Sequence, residues 1–149
     1  MTATNHALTG AVIGLVVGQP LTAVPAAFLS HFVLDALPHF GDDNLKFTSK
    51  KFTIILASDI LLCALLAAVL ALKGPEHYYL AAWCAFFATS PDFMWLPDFI
   101  RARKHHKKLE ARGFLVSFHG RIQWFQRPIG GVVEAAWAVG MVTILAKLI

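Results

Sequence analysis

The sequence predicts an all-α integral membrane bundle of four to five short or tilted helices with a basic cytoplasmic loop, one membrane-embedded domain covering residues 1–149. Three observations carry this. Hydrophobic residues make up 57% of the 149 positions and charged residues only 15%, against about 45–50% and about 25% in soluble domains. The apolar residues fall in long runs, and the mean hydropathy is +0.61. The basic residues, which outnumber the acidic ones to give a net charge of +4, cluster in two segments between runs.

The first apolar segment runs from about His6 to Gly18 and the second from Leu21 to Leu37, with Gln19-Pro20 between them. Gly18 suits a helix end and Pro20 the first position of the next helix. Both are shorter than the ~20 residues of a perpendicular span, so tilted or partly re-entrant helices are expected. Pro25 is placed to kink the second. The third segment, Thr53 to Leu72, is a continuous span that stops at Lys73-Gly74-Pro75. The fourth runs from Tyr78 to Thr89, meets Ser90-Pro91-Asp92 and resumes through Phe93 to Leu96 as a broken helix. The last, Ile129 to Ile149, opens after Arg127-Pro128. Cys63 and Cys84 lie inside apolar runs with no paired spacing and read as small buried hydrophobes. Met1 to Asn5 lacks a basic stretch, so no cleavable signal peptide is expected.

Lys46, Lys50 and Lys51 lie between the second and third segments. Arg101, Arg103, Lys104, Lys107, Lys108, Arg112, Arg121 and Arg127 follow Asp92. The opposite side holds only Lys73 and Lys147, eleven against two. Positive loops stay in the cytoplasm, which places the N-terminus inside and the C-terminus outside. The basic run around His105-His106 reads as a solvated loop facing anionic lipid headgroups. It lacks the interleaved aromatics of a nucleic-acid platform, so no nucleic-acid partner is expected.

On this topology His6, His31, Asp35, His39, Asp59, Asp92, His119 and Glu134 all fall at one level near the cytoplasmic side. Acids in spans are costly and mark functional sites. His31 and Asp35, four apart, share a helix face, and His39 continues the spacing. Neutral imidazole and ionised carboxylate suit zinc and other divalent metals, one ion or two neighbouring ones. The alternative is an Asp that only fixes its His neighbour's tautomer. Asp92 reads as a metal ligand or as a cap for the following turn, and Asp98 as a second cap. His119 sits in an amphipathic segment at the interface, Phe118 to Trp124, that carries it back toward the site. His77, beside Tyr78 and Tyr79, belongs to an interfacial belt on the far side. No Gly-rich phosphate loop, G-x-S-x-G elbow or H-E-x-x-H occurs.

Asn5-His6-Ala7-Leu8-Thr9-Gly10 and Ser90-Pro91-Asp92 resemble motifs of a family of small bacterial inner-membrane proteins described as metal-dependent hydrolases. The resemblance spans most of the chain and implies that His6, Asp92 and His119 bind metal. Phe28 to Asp35, followed by Pro38-His39, is similar to a helix of zinc-dependent phospholipase C and related nucleases. That likeness implies zinc ligation by His31, Asp35 and His39, although the final spacing is shorter by about two residues.

The expected function is therefore a metal-dependent hydrolase of the bacterial inner membrane, acting on a phosphoester of a lipid or lipid-linked substrate with metal-activated water. Asp59 and Glu134 would serve as general base, as further ligands or as partners orienting a His. Arg121 and Arg127 would hold the phosphate, or are simply positive-inside residues. The rivals are a metal-ion or proton transporter and a non-catalytic scaffold. A transport path needs polar groups through the whole depth, whereas Leu61 to Leu72 and Val139 to Leu148 hold no ionisable group except Lys147.

Overall fold

The computed structural model describes residues 1–41, 49–105 and 114–149, apart from the side chains of 98, 99, 102, 103, 105 and 115. Lys46, His106, Lys107, Lys108 and Arg112 lie outside the described residues, as do the side chains of Asp98, Arg103 and His105. The described chain is all-helical: α1 (Ala3–Val17), α2 (Pro20–Ala36), α3 (Lys50–Lys73), α4 (Tyr78–Thr89), a 3-10 turn (Ser90–Trp95), α5 (Leu96–His105), α6 (Phe114–Ile122) and α7 (Gly130–Leu148).

Local chemistry explains most boundaries. Gly18 ends α1 with φ at 65°, a left-handed conformation that glycine adopts without strain. A Cβ there would also lie 2.8 Å from His77 Nε2, so the α1–α2 turn packs on the start of α4. Gln19 caps α2, its side-chain oxygen accepting from Thr22 N, with Pro20 at the first position. Ser49 accepts from Phe52 N and so starts α3 at Lys50, three residues before the apolar run. Gly74 ends it in the left-handed region.

The stretch after Asp92 departs from the expected long loop. The broken helix continues from the 3-10 turn directly into α5, where Pro97 is tolerated in the first turn. The amphipathic segment holding His119 becomes α6, and it begins earlier than its aromatic residues suggested, at Phe114.

Helix α1 is central and touches α2, α3, α4 and α7. Its closest neighbour is α4, because Gly10 and Gly14 present no side chain. A Cβ on Gly10 would stand 2.3 Å from the Cys84 carbonyl oxygen, and one on Gly14 would stand 2.6 Å from Ala81 Cα. This is a small-xxx-small contact, which lets two helix backbones approach closely. Ala7, Ala11, Ala81, Cys84 and Ala88 fill the rest of the seam.

Helices α3 (24 residues, mean hydropathy 2.7) and α7 (19 residues, mean hydropathy 1.6) are long and apolar enough to cross a membrane. In each, only 11% of the most apolar window is buried against the rest of the chain. The outward surface carries Leu21, Ile54, Leu61, Leu72 and Val139 among other large apolar residues.

Candidate metal centre

Histidine 31 and Asp35 lie one turn apart near the C-terminal end of α2, and both are fully buried. Carbonyl dipoles at a helix C-terminus disfavour an acid, so Asp35 needs positive or donating partners. Its Oδ2 lies 2.7 Å from His119 Nε2 and 3.0 Å from Gln123 Nε2, with His31 Nε2 at 3.3 Å. Its Oδ1 faces His6 Nε2 at 3.1 Å and the Met1 nitrogen.

The break after α4 positions His31. In the 3-10 register the Ala88 carbonyl would accept from residue 91, but Pro91 has no N–H. His31 Nδ1 bonds this carbonyl oxygen at 2.8 Å instead. Because the oxygen can only accept, Nδ1 carries the proton and Nε2 turns a lone pair inward. The same turn carries Asp92, whose Oδ1 lies 3.7 Å from His31 Nε2 and 4.0 Å from His119 Nε2. Desolvation by its surroundings pushes the Asp92 carboxyl above the ordinary range. Its side chain nevertheless keeps a third of its surface exposed, while His31, Asp35 and His119 have none.

Histidine 119 reaches the centre from α6. Its Nε2 lies 3.0 Å from His31 Nε2, and its Nδ1 accepts from Trp95 Nε1 at 3.2 Å. Gln123 follows four residues later, just past the end of α6, and its side chain also reaches Asp35 Oδ2. Phe32 closes one side, edge-on to both His31 and His119 at 5.3 and 6.0 Å between ring centres.

One donor atom from each of His31, Asp35, Asp92 and His119 lies within 4.8 Å of the other three. A tetrahedral ion with bonds of about 2.0–2.1 Å has edges of about 3.3 Å between ligands. The five separations given above run from 2.7 to 4.0 Å around that value. The donors are two imidazoles and two carboxylates, the mixture that zinc and similar ions take. The residues therefore fit a divalent ion, with Asp92 on the open side.

The other expected site residues divide into three groups. His6 is buried against Asp35 and stacks on His31 at 4.0 Å, but lies outside the four-atom group. His39 is also buried outside it. Its backbone pairs with Phe125 and Arg127, and burial holds its imidazolium below the ordinary value. Asp59 and Glu134 bind the start of α1: Asp59 accepts from Ala3 N and Thr4 N, both at 2.8 Å, and from the Thr4 hydroxyl. Glu134 accepts from Thr2 N at 3.2 Å and Phe40 N at 3.0 Å. Arg121 and Arg127 are exposed, and Arg127 lies over the Phe125 ring at 5.2 Å. Neither guanidinium pairs with the four groups. Trp95 and Gln123 are the contributors that sequence patterning missed. The i, i+4 spacing of His119 and Gln123 was the one available signal.

No protein-family model, curated protein or solved structure matches this chain. The centre rests on its own geometry.

Proposed function

We propose that the chain is a multi-pass protein of the bacterial inner membrane that hydrolyses a phosphoester of a lipid or lipid-linked substrate at a divalent metal centre, zinc for preference, on the cytoplasmic face. The observation that carries this reading is the convergence of His31, Asp35, Asp92 and His119 within one ion's coordination distance. The membrane part is supported by α3 and α7, whose apolar windows face outward rather than into a core. The sequence resemblance to metal-dependent inner-membrane hydrolases points the same way.

A bound divalent ion supplies a nucleophile by lowering the pKa of its water and polarises a phosphoryl oxygen. The protein's own groups do the rest. His31 and His119 offer Nε2, with Asp35 between them. Asp92, the most exposed of the four, would be the base for the attacking water in this reading. The Gln123 amide holds Asp35 Oδ2 in place, and Phe32 keeps water from the back of the imidazoles. Phe93 and Phe118, adjacent in sequence to Asp92 and His119, are 52% and 45% exposed. Exposed rings next in sequence to two of the four groups favour a substrate with acyl chains. Asp59 and Glu134 spend their oxygens on backbone amides, and in this reading they position α1 rather than move protons.

The test is the metal content of detergent-purified protein, followed by hydrolysis of a panel of lipid phosphoesters. Wild type should retain a divalent ion, and His31→Ala and Asp35→Ala should lose it. Chelation should abolish hydrolysis, and re-addition should restore it. Wild type that retains no divalent ion after incubation with zinc or manganese would sink the reading.

A further inference from the structure

The two oxygens of Asp35 face different partners. Oδ2 lies toward His119, His31 and Gln123, whereas Oδ1 meets His6 Nε2 at 3.1 Å, with the Met1 nitrogen on the same oxygen. His6 is fully buried, and its ring stacks on the His31 ring with 4.0 Å between centres and 22° between planes. One side chain of α1 thus touches two members of the four-group cluster without supplying a donor atom to it.

The surroundings of His6 fix its tautomer. A carboxylate oxygen can only accept, so the neutral ring carries its proton on Nε2 and leaves a lone pair on Nδ1. No donor among the described residues reaches that buried Nδ1. Buried polar atoms are nearly always satisfied, and an orphaned one is a cost. A phenyl ring would stack on His31 and fill the same space without this cost. What the imidazole adds is the hydrogen bond to Asp35 Oδ1. With Nε2 protonated, His6 also turns no lone pair toward the cluster. A neutral donor holds the carboxylate and adds no charge that would repel a cation.

We propose that His6 is a positioning residue of the metal centre: its Nε2–H holds Asp35 Oδ1, which leaves Oδ2 turned toward the ion, and its ring fixes the plane of His31. This role rests on the metal centre proposed above. It sets His6 beside the ion rather than on it, unlike the ligand role that the sequence resemblance implies. Partners of this kind orient ligating side chains, and their loss weakens metal binding about 10–100-fold. The backbone and side chains around His6 are themselves held. Asp59 accepts from Ala3 N and Thr4 N, and Asn5 Nδ2 donates to the Glu134 carbonyl oxygen at 3.2 Å. The start of α1 is thereby fixed at the height where Nε2 meets Asp35.

The experiment titrates full-length protein in detergent with Zn²⁺ against a chromophoric chelator, and reads the visible absorption of the Co²⁺ form at saturation. His6→Phe keeps a ring against His31 but has no donor. It should bind Zn²⁺ about 10–100-fold more weakly, and its saturated Co²⁺ bands should match wild type because the four ligands remain. His6→Gln puts an amide N–H where Nε2 stands and should recover most of the affinity. His6→Asn carries its amide at the Nδ1 position, short of Asp35, and should bind as weakly as His6→Phe. The Gln and Asn pair decides the matter if His6→Phe loses its helical circular dichroism. Wild-type affinity in the Phe or Asn variant overturns the role, as does a Gln variant no tighter than the Asn one. Altered Co²⁺ bands at saturation in the Phe or Asn variant would make His6 a ligand and overturn it too. These outcomes leave the metal centre standing, whereas wild type that binds no ion overturns the centre and the role together.

Discussion

An indole N–H can donate but not accept, so the Trp95 contact with His119 Nδ1 fixes a lone pair on that nitrogen. The neutral ring then carries its proton on Nε2, the atom facing Asp35 and His31. Ligation through Nε2 moves the proton to Nδ1 and breaks the bond to Trp95. Trp95 therefore opposes metal binding by about one hydrogen bond, roughly 1 kcal/mol. Trp95→Phe should tighten metal affinity about fivefold, measured by competition with a chromophoric chelator. The wild-type minus Trp95→Phe emission difference should also shift when metal is added. Equal affinities and a static difference spectrum would show that His119 does not ligate through Nε2. The sequence made His31, Asp35, Asp92 and His119 visible because imidazoles and acids are conspicuous in apolar runs. Trp95 and Gln123 were not, since an indole and an amide in an amphipathic stretch look like interfacial residues.

At the scale of elements, the start of α1 accounts for hydrogen bonds of two acids that the sequence reads as general base, further ligands or partners orienting a His. The first amides of a helix lack internal partners, and local caps come from a residue within about three positions. Here the acceptors are Asp59 of α3 and Glu134 of α7, 55 and 132 positions from Thr4 and Thr2. A cap contributed from such a distance leaves no local signature, so sequence spacing alone favours a chemical role. Asp59→Ala strips Ala3, Thr4 and the Thr4 hydroxyl of their acceptor and should lower stability by about 2 kcal/mol, read from thermal unfolding in detergent. Metal stoichiometry should persist in the fraction that stays folded. Loss of metal at unchanged stability would return Asp59 to the site. The α1–α4 seam makes a second demand. Gly14→Leu places atoms where Ala81 Cα already sits and should cost at least about 3 kcal/mol, at or beyond the upper end of ordinary overpacking. Gly140→Leu, where a Cβ meets nothing, should be tolerated. The Gly10-x3-Gly14 pattern was present in the sequence, but only the structure shows which helix it faces.

Across the whole molecule, helices of alternating direction bring their polar ends together. The start of α1, the end of α2, an early turn of α3, the end of α4 and the start of α7 all reach the Asp35–Asp59–Glu134 level. The alternation follows from short connections between apolar runs, which is why the sequence could place these residues at one depth before any contact was known. The backbone pairing of His39 with Phe125 and Arg127 was not legible there, because it joins segments distant in sequence. At the opposite end Gly18 meets His77, and Glu76 is 89% exposed beside it. On the proposed topology the metal centre faces the cytoplasm, where basic segments are retained. In a Cys63→Ala, Cys84→Ala background, Glu76→Cys should react with a membrane-impermeant maleimide in intact spheroplasts. Arg121→Cys, exposed at the end of α6 near the centre, should react only after the membrane is opened. The reverse pattern would place the centre outside, where a substrate would have to come from the outer leaflet. Reaction of both positions in sealed spheroplasts would contradict a spanning arrangement with ends on opposite sides.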